Sequence, residues 1–181
     1  MMHRLRGLIM IGAMLIVVPA AKAGPLEDGQ KAYARGDFAL ALKLLRPMAE
    51  HGDADAQYLV GEIFDPLEEI HFEGRGVAPD FQEALKWYRL SAGQDNAAAQ
   101  LCLGDMYHAG QGVTQDDVRA WMWWDIAASS IEKTDASSRR LHNEAVRKQN
   151  SLVAKDLTAE QIDQAVAMER RCRRSNFKDC G

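Results

Sequence analysis

Self-similarity restricts the fold of this chain more than any other feature. "GRGVAPDFQEALKWYRLSAG" (74–93) and "GQGVTQDDVRAWMWWDIAAS" (110–129) superpose without gaps at an offset of 36. Gly74, Gly76, Val77, Asp80, Ala84, Trp87 and Ala92 recur as Gly110, Gly112, Val113, Asp116, Ala120, Trp123 and Ala128, and Tyr88 falls on Trp124. Upstream, "DFALALKLLRPMAEHGDADAQ" from Asp37 lies on "DFQEALKWYRLSAGQDNAAAQ" from Asp80 at an offset of 43. Periods of this length mark stacked supersecondary units that bury their apolar faces only against one another. The offsets differ by seven, so the unit from Ala54 to Gly93 carries seven extra residues, placed here at about "EIFDPLE" (62–68). Seven residues make nearly two helical turns and preserve the apolar face, although Pro66 should kink or break that helix.

Each unit reads as two helices. In the first, "AQYLVGEIF" or "AQLCLGDMY", apolar residues surround Gly61 or Gly104. A glycine inside a helix is unfavourable, so its recurrence predicts a close approach of two backbones. The "GxGV" turn supplies residues that accept positive φ. Asp37, Asp80 and Asp116 stand at N-cap positions. In the second helix Ala84, Trp87, Tyr88 and Ala92 follow i, i+3, i+4, i+8 spacing on one face. No alternating β-type segment is present. The expected fold is all-α: an α-solenoid of stacked antiparallel helix pairs.

The pattern Gln-x-x-x-Gly-x-x-Tyr, Gly-x-Gly-Val, Asp, Ala-x-x-Trp-Tyr-x-x-x-Ala resembles the Sel-one-like repeat (SLR) family, a relative of the tetratricopeptide repeat. The matching region runs from Asp37 to Ser129, and Asp105-Met106-Tyr107 fits well. The unit from Ala54 departs from it, with Glu69-Ile70-His71 where the aromatic should stand. "GQKAYARGDFALAL" resembles the N-terminal half-unit of such proteins, and "AWMWWDIAAS" with the distant "LTAEQIDQA" resembles the terminal unit and capping tail of short exported bacterial members. The resemblance implies an adaptor that binds proteins, with Gly61, Gly74, Gly76, Ala84, Trp87, Tyr88, Gly104, Gly110, Gly112, Ala120, Trp123 and Trp124 as repeat framework.

The expected organisation is a signal peptide (1–23), an N-terminal half-unit (24–53), repeats at 54–93 and 94–130, and a C-terminal helical cap (131–181). The leader "MMHRLRGLIMIGAMLIVVPAAKA" has a basic start, an apolar run from Leu8 to Val18, and Ala21-Lys22-Ala23 before the expected cut. That run is too short to remain as a membrane span. The expected location is therefore the periplasm. In the cap, "ASSRRLHNEAVRKQNSLVA" is helical by pattern, and Thr158-Ala-Glu-Gln161 is a capping-box signature for a last helix reaching about Arg173. Solenoid ends require such caps.

The formal charge is −4, and losing Arg4, Arg6 and Lys22 leaves 19 basic against 26 acidic residues, or −7. An acidic chain with no basic stripe argues against nucleic acid or anionic lipid as the main partner. Of the three cysteines, Cys172 and Cys180 lie close together beside a helix end and form the expected disulfide. Cys102, between two leucines, reads as a small buried thiol.

Trp121, Trp123 and Trp124 raise the alternative of a stacking platform for a glycan or aromatic ligand. The register makes Trp123 and Trp124 core, as copies of Trp87 and Tyr88, and sets Trp121 on Leu85. Only Met122, which replaces Lys86, breaks the pattern, and it predicts a contact with the cap. "SIEK" (130–133) matches Ser-x-x-Lys of penicillin-recognising enzymes, but Ser-Asp-Asn and Lys-Thr-Gly are missing from the chain. A disulfide-rich branch of the resembled family is linked to β-lactam binding or hydrolysis. Its cysteine pair within each repeat does not occur here.

His51, His71, His108 and His142 form no His-x-x-x-His, and there is no Cys-x-x-Cys. His71 and His108, near the ends of successive first helices, are candidates for a shared groove contact. No Walker loop, Gly-x-Ser-x-Gly or dinucleotide fingerprint occurs. The expectation is a binding protein with no cofactor, no metal and no catalytic residues, whose groove side chains meet a protein partner.

Overall fold

The computed structural model describes residues 24–65, 76–132 and 134–180, except the side chain of Ala154. The leader, Gly74, His71 and Lys133 lie outside these residues, as does the 66–68 part of the expected insertion. The described residues form eight helices and no strand: α1 (Pro25–Ala34), α2 (Phe38–Glu50), α3 (Ala54–Phe64), α4 (Phe81–Ala92), α5 (Ala97–Ala109), α6 (Asp117–Ser130), α7 (Ala136–Lys155) and α8 (Ala159–Arg174). Among them none is long and apolar enough to cross a membrane.

Every helix after α1 begins on a side-chain cap. Asp37, Asp53, Asp80, Asn96 and Asp116 accept backbone N–H groups at the starts of α2 to α6. Asp135–Ser138 and Thr158–Gln161 form reciprocal capping boxes on α7 and α8. Each satisfies donors that a helix leaves orphaned, at about 1 kcal/mol per cap.

Consecutive helices pair as α1–α2, α3–α4 and α5–α6, and the pairs stack through α2–α3 and α4–α5. The buried face of α4 comprises Ala84, Trp87, Tyr88 and Ala92, and that of α6 Ala120, Trp123, Trp124 and Ala128. Polar side chains fasten the pairs to one another. Buried Gln57 donates to the Ala49 carbonyl at 2.9 Å, and buried Gln100 to the Ala92 carbonyl at 3.3 Å. Within the α3–α4 pair, Ser91 donates to the Ala54 carbonyl at 2.7 Å. The "GxGV" turns dock backward as well. Gly112, at φ +66°, lies so close to Phe81 that an added Cβ would stand 3.0 Å from its carbonyl oxygen, and Gln82 donates to the Gly112 carbonyl at 2.8 Å.

The helix glycines do not bring two backbones together, as the sequence led us to expect. They make room for large side chains. A Cβ on Gly61 would stand 2.6 Å from the Tyr88 ring, one on Gly104 2.3 Å from the Trp124 ring, and one on Gly29 2.5 Å from Leu45. The same device thus operates in all three pairs. Each first helix lacks a side chain where its partner helix inserts a bulky one.

Helix α3 also lacks the two-turn extension that the sequence led us to expect. Helix α3 stops at Phe64, and Asp65 is extended (ψ 116°), the conformation favoured before a proline. Phe64 stands seven residues below the register of Tyr107 only in gapless counting; relative to Gly61 and Gly104 the two are equivalent. The Asp80 N–H bonds the Phe64 carbonyl at 2.8 Å, as the Asp116 N–H bonds that of Tyr107 at 2.9 Å. Phe64, rather than Glu69-Ile70-His71, is the missing aromatic. The extra residues follow it.

The end of the stack is sealed by α7 and α8, both of which pack on α6 rather than mainly on each other. Met122 is 0% exposed, whereas the Lys86 side chain at its equivalent position is 54% exposed. Unlike α4, α6 is packed against α7 and α8. Cys172 and Cys180 are bonded, with 4.4 Å between their Cα atoms, and fix the tail beyond α8.

Candidate binding surface

The side chains that α3, α5 and α7 do not spend on the core form a polar row floored by aromatics from α4 and α6. On α3, the Tyr58 hydroxyl donates to Glu62, and its ring lies 6.1 Å from that of Tyr88. The Tyr88 hydroxyl donates to buried Asp65 at 3.1 Å. On α5, Asp105 occupies the register of Glu62. It accepts the Trp124 indole N–H at 3.1 Å and the Lys148 ammonium at 2.7 and 2.8 Å. Lys148, on α7, also lies 5.8 Å from the centroid of Trp124 and 3.8 Å from Glu144. His108 sits 5.6 Å from the same indole, and its Nδ1 pairs with Asp117 at 2.7 Å.

Burial acts on the ionisable members of this row. It raises the Asp105 carboxyl above the usual carboxylate value, with the Lys148 and Trp124 hydrogen bonds opposing it. It also raises the Tyr58 phenol, helped by nearby Cys102 and Glu62. The Cys102 thiol is likewise pushed well up by burial, with the adjacent acids adding to the effect. A thiol so shifted stays protonated at neutral pH and is a poor nucleophile. Cys102 is half-buried and unpaired.

Between α5, α6 and α7 the row opens into a cavity of about 260 Å³, walled by Trp124, His108, Asp105, Lys148, Arg147 and Lys155. An indole wall with mixed charges at its mouth suits a side chain of a bound polypeptide: apolar contact below, charge pairing at the rim. Ser130 of "SIEK" donates to Asp95 at 2.7 Å, tying α6 to the previous turn. Among the described residues no group of three His, Cys, Asp or Glu is arranged to hold a metal. His51 and His142 bond the Pro47 and Ala128 carbonyls.

The family profile for the Sel1 repeat matches residues 20–53, 54–96 and 97–130, more than half of the chain, in the three segments that build the three helix pairs. The chain belongs to the Sel1 repeat family. It is 31% identical over 115 residues to human protein sel-1 homolog 2, an alignment that covers 63% of this chain and 15% of the human protein. Its fold is similar to the crystal structure of a protective antigen of uropathogenic Escherichia coli that displays an SLR fold, with a TM-score of 0.61, 26% identity, and coverage of 84% of this chain and 31% of the antigen. A Sel1 repeat protein from Oxalobacter formigenes aligns with a TM-score of 0.49 at 28% identity, over 66% of this chain and 86% of that one. The chain thus spans well under half of the first two relatives. Sel1 repeats are scaffolds that generally mediate protein–protein interaction.

Within this Sel1 frame, Gly76, Gly110 and Gly112 all take positive φ, and Trp121 is half-buried against the core. The repeat pattern exposed the aromatic floor but not the cavity. Arg147, Lys148 and Lys155 come from α7, which has no second copy to be read against. Of the expected pair of groove histidines, only His108 lies among the described residues.

Proposed function

We propose that this Sel1 repeat protein is an exported, periplasmic scaffold that captures a segment of another protein along the row formed by α3, α5 and α7. The observation that carries the reading is the cavity over Trp124, where Asp105, Lys148 and Arg147 surround an indole wall. The three-part leader and a disulfide suited to an oxidising compartment support the location.

A photocrosslinking residue in place of Ser151, which lines the cavity, tests the reading in intact cells. One defined protein adduct, lost when Lys148 and Arg147 are both replaced by Ala, is the expected result. Adducts indifferent to that replacement, or turnover of a chromogenic β-lactam by the purified protein, would overturn it. The compartment is tested separately. The purified mature protein should begin at Gly24 and titrate one thiol in denaturant, whereas three thiols would remove the disulfide and the argument from export.

A further inference from the structure

A second hollow lies on the other side of α6, between the ends of α4 and α5 and the disulfide loop. It is lined by Arg89, Tyr107, Trp123, Phe177, Lys178 and Cys180 and has a volume of about 260 Å³. Comparing the two copies of the repeat shows what is unusual there. In the earlier copy the Trp87 indole N–H is satisfied one turn back, donating to Glu83 at 3.1 Å. The offset of 36 replaces Glu83 by Arg119, so Trp123 loses its acceptor. Its Nε1 is buried with no hydrogen-bond partner, and so is Nε of Arg119.

The groups around it are donors too. Arg89 donates to the Tyr107 hydroxyl oxygen at 3.0 Å, which leaves the phenolic proton to be given elsewhere. The Arg119 guanidinium stands 5.7 Å from the Tyr107 ring centroid. The neighbouring carboxylates are engaged, Asp116 with Arg119 at 3.3 Å and Asp179 with Arg171 at 3.2 Å. Among the described residues none is ion-paired with Arg89 or Lys178. The loop that supplies Lys178 is held in an unusual conformation, with Asn176 at φ 51° and Phe177 at φ 61°. A left-handed phenylalanine is strained, and such residues concentrate at ligand sites.

A buried N–H without an acceptor is destabilising, and a lining whose polar side chains are donors and cations recovers that loss with an anion. The rest of the lining is apolar: the indole, the Phe177 ring and the Cys180 side of the disulfide. We propose that this hollow binds an organic carboxylate with an apolar body, its oxygens received by Arg89, Lys178 and the Trp123 indole N–H. The site is separate from the cavity over Trp124 and does not depend on what binds there.

Tryptophan side-chain resonances of the oxidised, ¹⁵N-labelled protein provide the test, with Trp123 assigned through Trp123→Phe. The probes are N-acetylphenylalanine, its amide and inorganic phosphate. Expected is a saturable shift of the Trp123 indole N–H with the carboxylate, at a dissociation constant on the order of 1 mM for a ligand of this size. The Trp87 signal should stay in place, because its proton is held by Glu83. Arg89→Met with Lys178→Met should weaken binding at least tenfold with unchanged thermal unfolding, since both side chains are exposed. An equal response to the amide, a response to phosphate alone, or no saturable shift of Trp123 would each overturn the proposal.

Discussion

At the scale of single residues, the three glycines of the first helices carry the most information. Gly104→Ala should destabilise the protein by about 1–3 kcal/mol, because the new methyl meets a packed indole. At an exposed helical site the same change would stabilise by roughly 1 kcal/mol. Urea unfolding decides the sign. Asp105 allows a second prediction of sign. Burial raises its pKa in the folded state, so folding favours the protonated form. Its contribution is full below the unfolded value of 3.8 and is lost as pH rises through the folded value. The stability of Asp105→Asn minus that of the native protein should therefore increase across that window, measured by denaturant unfolding at several pH values. The recurrence of Gly61 and Gly104 was legible in the sequence. Their purpose was not, because spacing along one helix does not reveal whether a neighbour presents backbone or a ring.

At the scale of elements, α6 is the informative helix. In sequence it was the second copy of α4 with one discordant position, and that position is fully buried on the helix that carries the cap. Met122→Lys should cost about 3 kcal/mol or more, since it buries an unpaired cation where the native side chain is fully covered. Limited proteolysis should then release α7 and α8 before the repeats. Loss of ligand binding with normal unfolding would contradict this account. The capping box that opens α8 was readable from Thr158 and Gln161, because cap chemistry is local, whereas the Asp135–Ser138 box on α7 came only with the structure. The packing of both helices on α6 was not readable, because it depends on long-range contacts of helices without a repeat partner. The two hollows escaped for the same reason. Each has one wall from a repeat and another from the unrepeated tail. The substitution of Arg119 for Glu83 was nevertheless visible at the offset of 36, and it marks the second hollow.

At the scale of the whole molecule, the stacking rule was legible and the position of its one irregularity was not. Offsets alone locate an insertion only between matched landmarks, and proline, not periodicity, decides where α3 ends. Fifteen residues separate Phe64 from Asp80, and eight separate Tyr107 from Asp116, yet both pairs close with the same backbone hydrogen bond. Deleting residues 66–72 should restore the shorter spacing and leave the helical circular dichroism and unfolding midpoint nearly unchanged. A large drop in either would mean that the segment supports the core. The shared closure has a wider consequence. Because Phe64 and Asp80 close the stack at one fixed doorway, the number of residues between them is uncoupled from the register of everything beyond. New sequence can be spliced at that doorway, by selection or by design, without asking any buried side chain to move.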